Sequence, residues 1–483
     1  MKRTLISLSS YALTTAITGI AAFLAIPLLI RTIGEEEFGR WSLIEPLVMF
    51  AATFALLGTN WGAFKLIARD QRLPGSVFAF LWFYSQPVTW VTAGVIAIVL
   101  ATQGHPVAEA LLIALTTFVE ASLLLWLAVS RAADWAGVYL TTQVVKAAAF
   151  LGLIALAFHG LYGLVSVQDV LILRAATAGG ALALGMLLAV RSNGSELFMP
   201  SRSPLATGLY ADAVGYGVPL LLTALLTQGM DFIPRLVISA FADYSLVAHF
   251  VVYTKLVAIL YLGIIAPFSL WWATERFRRL RDQDGGEAFF RRVAFVILAV
   301  LLTAGGLVWL LIPRVLPLFA PGIPVRQDIE LPLIIAMIST GMAYPLNIGL
   351  LNEGCTRLNI FGALVGIAIV ASLCLALLPR YGLLGVAWAS CAGCLGYTTV
   401  LALLSQRVYP VQFDYVIMSI LVAAAGGLLV IAYFLSVEGI WGLIVQTIFF
   451  LVSMTAFTSA LWIRVRRRVL HSVGPSVLAV DAE

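Results

Sequence analysis

Apolar residues along this chain gather into runs of about 20, each long enough to cross a hydrocarbon core as a helix, with short polar breaks between them. Fourteen such runs stand at 8–30, 41–63, 76–100, 107–130, 137–157, 166–190, 211–233, 246–271, 293–318, 331–351, 360–378, 382–404, 415–435 and 440–463. The pattern predicts an all-α integral membrane protein of about fourteen transmembrane helices. No break exceeds about 20 residues, which leaves no room for a soluble domain on either side.

The breaks carry the topology. Most Lys and Arg fall in segments that share a side with the N-terminus, above all "ERFRRLRDQDGGEAFFRR" (275–292) and "RVRRR" (464–468), so both termini are expected in the cytoplasm. Met1-Lys2-Arg3 leads into a long apolar segment without a cleavage site, and is read as the start of the first spanning helix. The breaks also echo one another. "HGLYGL" (159–164) between helices 5 and 6 matches "YGLLGV" (381–386) between helices 11 and 12, and "EEFGRWSLIEPL" after helix 1 has a fainter counterpart in "DYSLVAHFVVYTKL" (243–256). Six helices separate each pair, and an even number restores orientation. This predicts two six-helix lobes related by a pseudo-twofold axis along the membrane normal, with work done in a cavity between them. The expected domains are an N-terminal lobe at 1–190, a cytoplasmic linker at 191–210, a C-terminal lobe at 211–404, and helices 13–14 with a basic tail at 405–483.

Composition agrees. Of 483 residues 61% are hydrophobic and 11% charged, with a mean hydropathy of +1.02. The net charge of +5 follows from the basic anchors beside lipid headgroups and does not point to nucleic acid. Cys355, Cys374, Cys391 and Cys394 lie in or beside helices; "CAGC" reads as small residues for close packing, and no disulfide framework is implied. The chain has no phosphate-binding Gly-Lys-Ser/Thr loop and no His-Glu-x-x-His, and its four histidines are scattered, so neither an enzyme activity nor a cofactor or metal is expected.

"IPLLIRTIGEEEFGRWSL" resembles the first-loop signature of the polysaccharide flippases in the multidrug/oligosaccharidyl-lipid/polysaccharide exporter superfamily. Two further stretches are similar to that family: "YGVPLLLTALLTQGMDFIPRLVIS" (216–239), like its proline-containing seventh helix, and "NEGCTRLNIFGALVGIAIVASLCLALLPRYGLLGVAWA" (352–389), like its basic loop, apolar helix and Tyr-Gly-x-x-Gly turn. The sequence departs from the pattern at "HGLYG" in the first repeat, and the second-lobe partner of the opening motif lacks its glycines. The resemblance implies a flippase of the cell inner membrane, serving O-antigen or exopolysaccharide assembly alongside other polysaccharide assembly proteins. Its partners would be an isoprenoid-linked oligosaccharide, membrane lipids and a proton or sodium counter-ion. In the opening motif, Gly34 and Gly39 are expected to permit a tight external turn and the glutamates to solvate it. Arg31 either faces substrate, as the resemblance implies, or snorkels to the outer interface.

Ionisable groups inside spanning helices cost about 2.5–3.5 kcal/mol each on insertion scales, so each asks for a partner or a watery cavity. Counting residues puts Glu120 in helix 4 and Lys146 in helix 5 near one depth, where they either pair structurally or serve transport. Arg174, Lys255, Asp231 and Glu45 fall in the outer half, with Arg235 one turn beyond Asp231. Arg31, Lys146, Arg174, Arg235 and Lys255 are thus candidate substrate contacts, and Glu45, Glu120 and Asp231 candidate ion-coupling or pairing groups. The excess of cations suits an anion such as a diphosphate. Pro27, Pro46, Pro87, Pro219, Pro234, Pro267 and Pro345 are expected to bend their helices, which suits a carrier that rocks between states.

Three functions compete. A flippase would carry sugars and diphosphate past hydrocarbon; moving about two charges outward across about 100 mV would release about 4–5 kcal/mol. Ion coupling is then not required, though Asp231 or Glu45 could bind a proton or sodium ion on the return step. A drug or cation antiporter of the same fold would prefer an acidic cavity. A membrane polysaccharide polymerase or ligase would carry a long external catalytic loop, and this chain has none.

Overall fold

The computed structural model describes residues 2–69, 74–102, 104–161, 163–164, 166–193, 206–279, 286–352, 356–435 and 440–472. Among them the protein is all helical. Its α-helices are α1 (Lys2–Ala55), α2 (Thr59–Phe64), α3 (Pro74–Thr102), α4 (Val107–Ala132), α5 (Ala136–Phe158), α6 (Val167–Asn193), α7 (Ala206–Phe241), α8 (Tyr244–Val257), α9 (Ala266–Arg279), α10 (Glu287–Phe319), α11 (Gln327–Leu346), α12 (Ile348–Asn352), α13 (Asn359–Tyr381), α14 (Leu383–Val408), α15 (Tyr415–Phe434) and α16 (Ile440–Ser472). Among the described residues, thirteen helical segments are long and apolar enough to cross a membrane.

Thirteen segments accommodate the fourteen runs because the first two are joined. The first segment, Leu13–Ala55, has 43 residues. Straight, it would extend about 65 Å at 1.5 Å per residue, roughly twice a hydrocarbon core of about 30 Å. Gly34 divides it: φ 83° and ψ 168° are far from helical, and open space around its Cα leaves backbone freedom as the reason for glycine. Gly39 plays a different part from the one expected. It lies within the helix after the turn, where a Cβ would stand 1.9 Å from the Tyr244 carbonyl oxygen, so glycine is required for close packing against the start of α8.

The expected helix 41–63 is also interrupted. Leu57 (φ 47°) and Gly58 (φ 82°) end α1 and restart the chain as α2. Backbones meet there: a Cβ on Gly58 would sit 2.4 Å from Gly217 of α7, and one on Gly62 2.6 Å from Ala213. Small residues allow this approach, the general means of tight helix association in lipid. Pro27, Pro46, Pro87, Pro219, Pro234 and Pro345 lie inside helices. Pro267 follows a π-turn at Tyr261–Ile265 that separates α8 from α9. A wide turn just before a residue without an N–H is a common way to absorb the missing bond.

The chain forms two compact units, Met1–Val252 with Val370–Pro379, and Tyr253–Ile369 with Arg380–Glu483. In the first, the core centres on Trp126 of α4, fully buried, with Phe78 of α3 edge-on at 5.1 Å between ring centroids. In the second, α10, α15 and α16 pack through Leu301, Leu421 and Phe450, and α14 packs along α11 through Ser339 and Thr398, whose hydroxyls are 3.0 Å apart. Cys374, Cys391 and Cys394 are free thiols; Cys355 lies outside the described residues.

Candidate functional site

The polar chemistry of the first unit is organised by the stretch of α1 that follows Gly34. Trp41 and Glu45 are four residues apart, hence on one helical face, and both meet Arg174 of α6. Glu45 Oε1 accepts from Arg174 Nη1 at 2.7 Å, and the guanidinium carbon stands 5.8 Å from the centre of the Trp41 ring. Arg174 Nε donates to Glu120 Oε1 of α4 at 2.8 Å. Lys146 of α5 closes the chain, its Nζ 2.8 and 2.7 Å from the two Glu120 oxygens. Four helices thus contribute one linked set, Glu45–Arg174–Glu120–Lys146. Glu120 is its least accessible member at 1% side-chain exposure, against 19% for Lys146 and 30% for Glu45.

The structure therefore brings Glu120 and Lys146 together, and it adds Arg174 and Glu45 to the pair. The set is electrically balanced, with two carboxylates against two cations. Balance is what a low-dielectric interior favours, because each ion would otherwise lose hydration without compensation. Hydrogen-bonding capacity remains: Lys146 has a third N–H, and Arg174 spends Nε and Nη1 on carboxylates. These remaining N–H donors are of the kind that suits hydroxyl or phosphate oxygens.

A second polar cluster forms at the Gly34 turn. Glu37 Oε1 accepts from Arg40 Nη1 at 2.6 Å, and Glu37 Oε2 accepts from the Val167 backbone N–H at the start of α6 at 2.9 Å. Arg40 Nη2 reaches Glu109 Oε2 in the first turn of α4 at 2.8 Å, and His105 Nδ1 lies 3.3 Å from the other Glu109 oxygen. Glu35 Oε2 is 3.3 Å from His249 Nε2 of α8. The three glutamates were expected to solvate the turn; Glu37 instead ties it to the start of α6, and Glu35 to His249 within α8. Beside Arg40 and His105 lies a cavity of about 430 Å3, lined mainly by apolar side chains such as Val95, Val99 and Leu236.

The other sequence candidates are not members of this hydrogen-bonded set. Arg235 of α7 donates through Nη1 to the Ser42 carbonyl at 3.0 Å, while its buried Nε has no hydrogen-bond partner among the described residues. Asp231 and Glu45 supply the opposite charges acting on it. Arg31 is exposed, three residues before the Gly34 break, and Lys255 of α8 is half-buried and belongs to the second unit. Sequence reasoning missed Trp41, Arg40, Glu109 and His249. Trp41 and Glu45 carried a signal in their four-residue spacing, whereas Glu109 and His249 lie in segments that show no pattern linking them to the first turn.

Comparison with solved structures places this architecture. The lipid II flippase MurJ, in its inward closed conformation, matches with a TM-score of 0.71 over 95% of this chain and 99% of its own, at 10% sequence identity. A multidrug resistance MATE family transporter of the MOP superfamily, inward-facing, gives 0.59 over 82% and 97% at 16% identity. The eukaryotic MATE transporter AtDTX14 gives 0.54 over 83% and 95% at 13% identity. This chain has their fold. No protein-family model and no curated protein matches the sequence. The shared fold is thus carried here with little sequence identity, and function has to be argued from the site.

Proposed function

We propose that the protein is a flippase that moves an isoprenoid-diphosphate-linked oligosaccharide from the inner to the outer leaflet of the cytoplasmic membrane, exposing a polar site to each side in turn. One observation carries the reading: the match to the lipid II flippase spans nearly the whole of both chains. The MATE match covers 82% of this chain, against 95% for the flippase. The charge pattern supports the same choice. An antiporter for cationic drugs gains from unpaired carboxylates, whereas Glu45 and Glu120 each have a cationic partner. Spare N–H donors on Lys146 and Arg174, with Arg31, Arg235 and Lys255, are the groups proposed to meet diphosphate and sugar. Glu45, Glu120 and Asp231 are the carboxylates proposed to hold them or to take part in ion coupling. A strain lacking the protein should accumulate a lipid-linked oligosaccharide on the cytoplasmic face. Unchanged surface glycan with altered drug tolerance would overturn the reading in favour of an antiporter.

A further inference from the structure

The second unit contains a carboxylate that its surroundings leave without a partner. Glu330, the fourth residue of α11, has 0% of its surface exposed, and neither carboxylate oxygen has a hydrogen-bond partner among the described residues. The sequence placed it in an external loop, just before the apolar run beginning at 331; the helix in fact begins at Gln327 and carries it inside.

Its neighbours are otherwise engaged. Tyr253 of α8 is buried, but its hydroxyl donates to the Pro324 carbonyl and accepts the Arg326 backbone N–H at 2.9 Å. Arg326 turns its guanidinium to Asp328, Nη2 to Oδ2 at 2.7 Å. Asp328, on the same helix, is a like charge. Of the two long helices packed against α11, α14 carries no charged residue before Arg407 near its far end, and Arg314 in the last turns of α10 is exposed. Ala320 and Ile323, both buried, belong to the connection before α11, which Tyr253 pins at Pro324 and Arg326.

An ionised carboxylate in such a place would lose its hydration and gain nothing, and the partial charge of a helix N-terminus is small compensation. A bound metal ion would need several oxygen ligands at once. No group of acidic, His or Cys side chains among the described residues could supply them. A proton needs only one oxygen. We propose that Glu330 is a proton-binding site, held as the neutral carboxylic acid beneath the 320–326 connection and exchanging its proton when that connection lifts. The inference rests on the flippase reading only in assigning the exchange to a transport cycle.

Difference infrared spectroscopy on the purified full-length protein in detergent tests this without any substrate. At neutral pH, wild type minus Glu330→Gln should show the C=O band of a protonated carboxyl. Glu330→Asp should move that band without abolishing it, which covers the case of an unstable glutamine variant. Transfer to deuterated buffer should shift the band slowly in wild type and at least several-fold faster in Tyr253→Phe, which loses the pin. Absence of a protonated-carboxyl band, or equal exchange rates in the two proteins, would overturn the proposal. A band seen where the deletion strain accumulates no lipid-linked oligosaccharide would sink the flippase reading and leave the proton site standing. Accumulation without the band would do the reverse.

Discussion

Removing Glu120 tests whether the four-helix charge set acts as a unit. At an effective dielectric of about 20, opposite unit charges about 3 Å apart attract by roughly 5–6 kcal/mol, most of it offset by the desolvation of both ions. The net value of an intact pair is therefore small, while the cost of orphaning one member is about 3–5 kcal/mol. Glu120→Ala leaves Lys146 without its carboxylate, though Arg174 keeps Glu45 at 2.7 Å, so a loss in that range is expected. Lys146→Met is milder, at about 1.5–3 kcal/mol for one lost charged hydrogen-bonding partner, because Arg174 still holds Glu120 at 2.8 Å. The double variant removes donor and acceptor together and leaves Arg174–Glu45 intact. It should fall short of the sum of the singles by at least about 1 kcal/mol. Apparent thermal midpoints in detergent, compared at one scan rate because such unfolding is commonly irreversible, give the ordering. Glycan export in cells, measured on the same variants, separates roles. Additive losses would refute the coupling, and loss of export in Lys146→Met with no loss of stability would show that Lys146 serves substrate and not structure.

Other consequences follow from the same geometry. Gly39→Ala should sharply lower the yield of folded protein, since its Cβ would lie 1.9 Å from the Tyr244 carbonyl; Gly34→Ala, with open space but φ 83°, should cost only about 1–2 kcal/mol of backbone strain, read as a modest drop in melting midpoint. Equal effects at the two glycines would contradict their separate roles. Lys255→Gln should lower export with expression unchanged, whereas Arg279→Gln, which loses one i,i+4 contact to Glu275 at 2.8 Å and its place over the Phe289 ring, should change export little. Arg174→Gln is a poorer test of binding, because it breaks two ion pairs and should destabilise the protein as well. A topology reporter fused at Gly104 should read outside and one after Ser472 inside; the same side for both would reject the proposed orientation.

Helix number and order were legible because lipid imposes a length on every spanning run and permits few polar interruptions. The charge set was partly legible for the same reason. Glu120 and Lys146 stand out as ions inside apolar runs, and their depth follows from a fixed rise per residue. What residue counting cannot supply is azimuth, the direction in which a side chain leaves its helix. Arg174 and Glu45 were placed in the outer half of their helices, yet only the packing of α1, α4, α5 and α6 turns Arg174 to meet both Glu45 and Glu120. The excess of cations summed along the sequence says nothing of the balanced set, because a sum over residues ignores which charges face each other. Gly39 illustrates the same limit. Its neighbour in the turn, Gly34, is needed for its own backbone angles, a local property, whereas Gly39 is needed for the Tyr244 backbone more than two hundred positions away. Glu330 marks the opposite error, a boundary misplaced by four residues. A first-turn acidic residue ordinarily belongs to the solvated edge of a helix, where the N-terminal partial charge favours it. Burial here overrides that preference, and a carboxylate set against its local rule is where a functional constraint is expected to show.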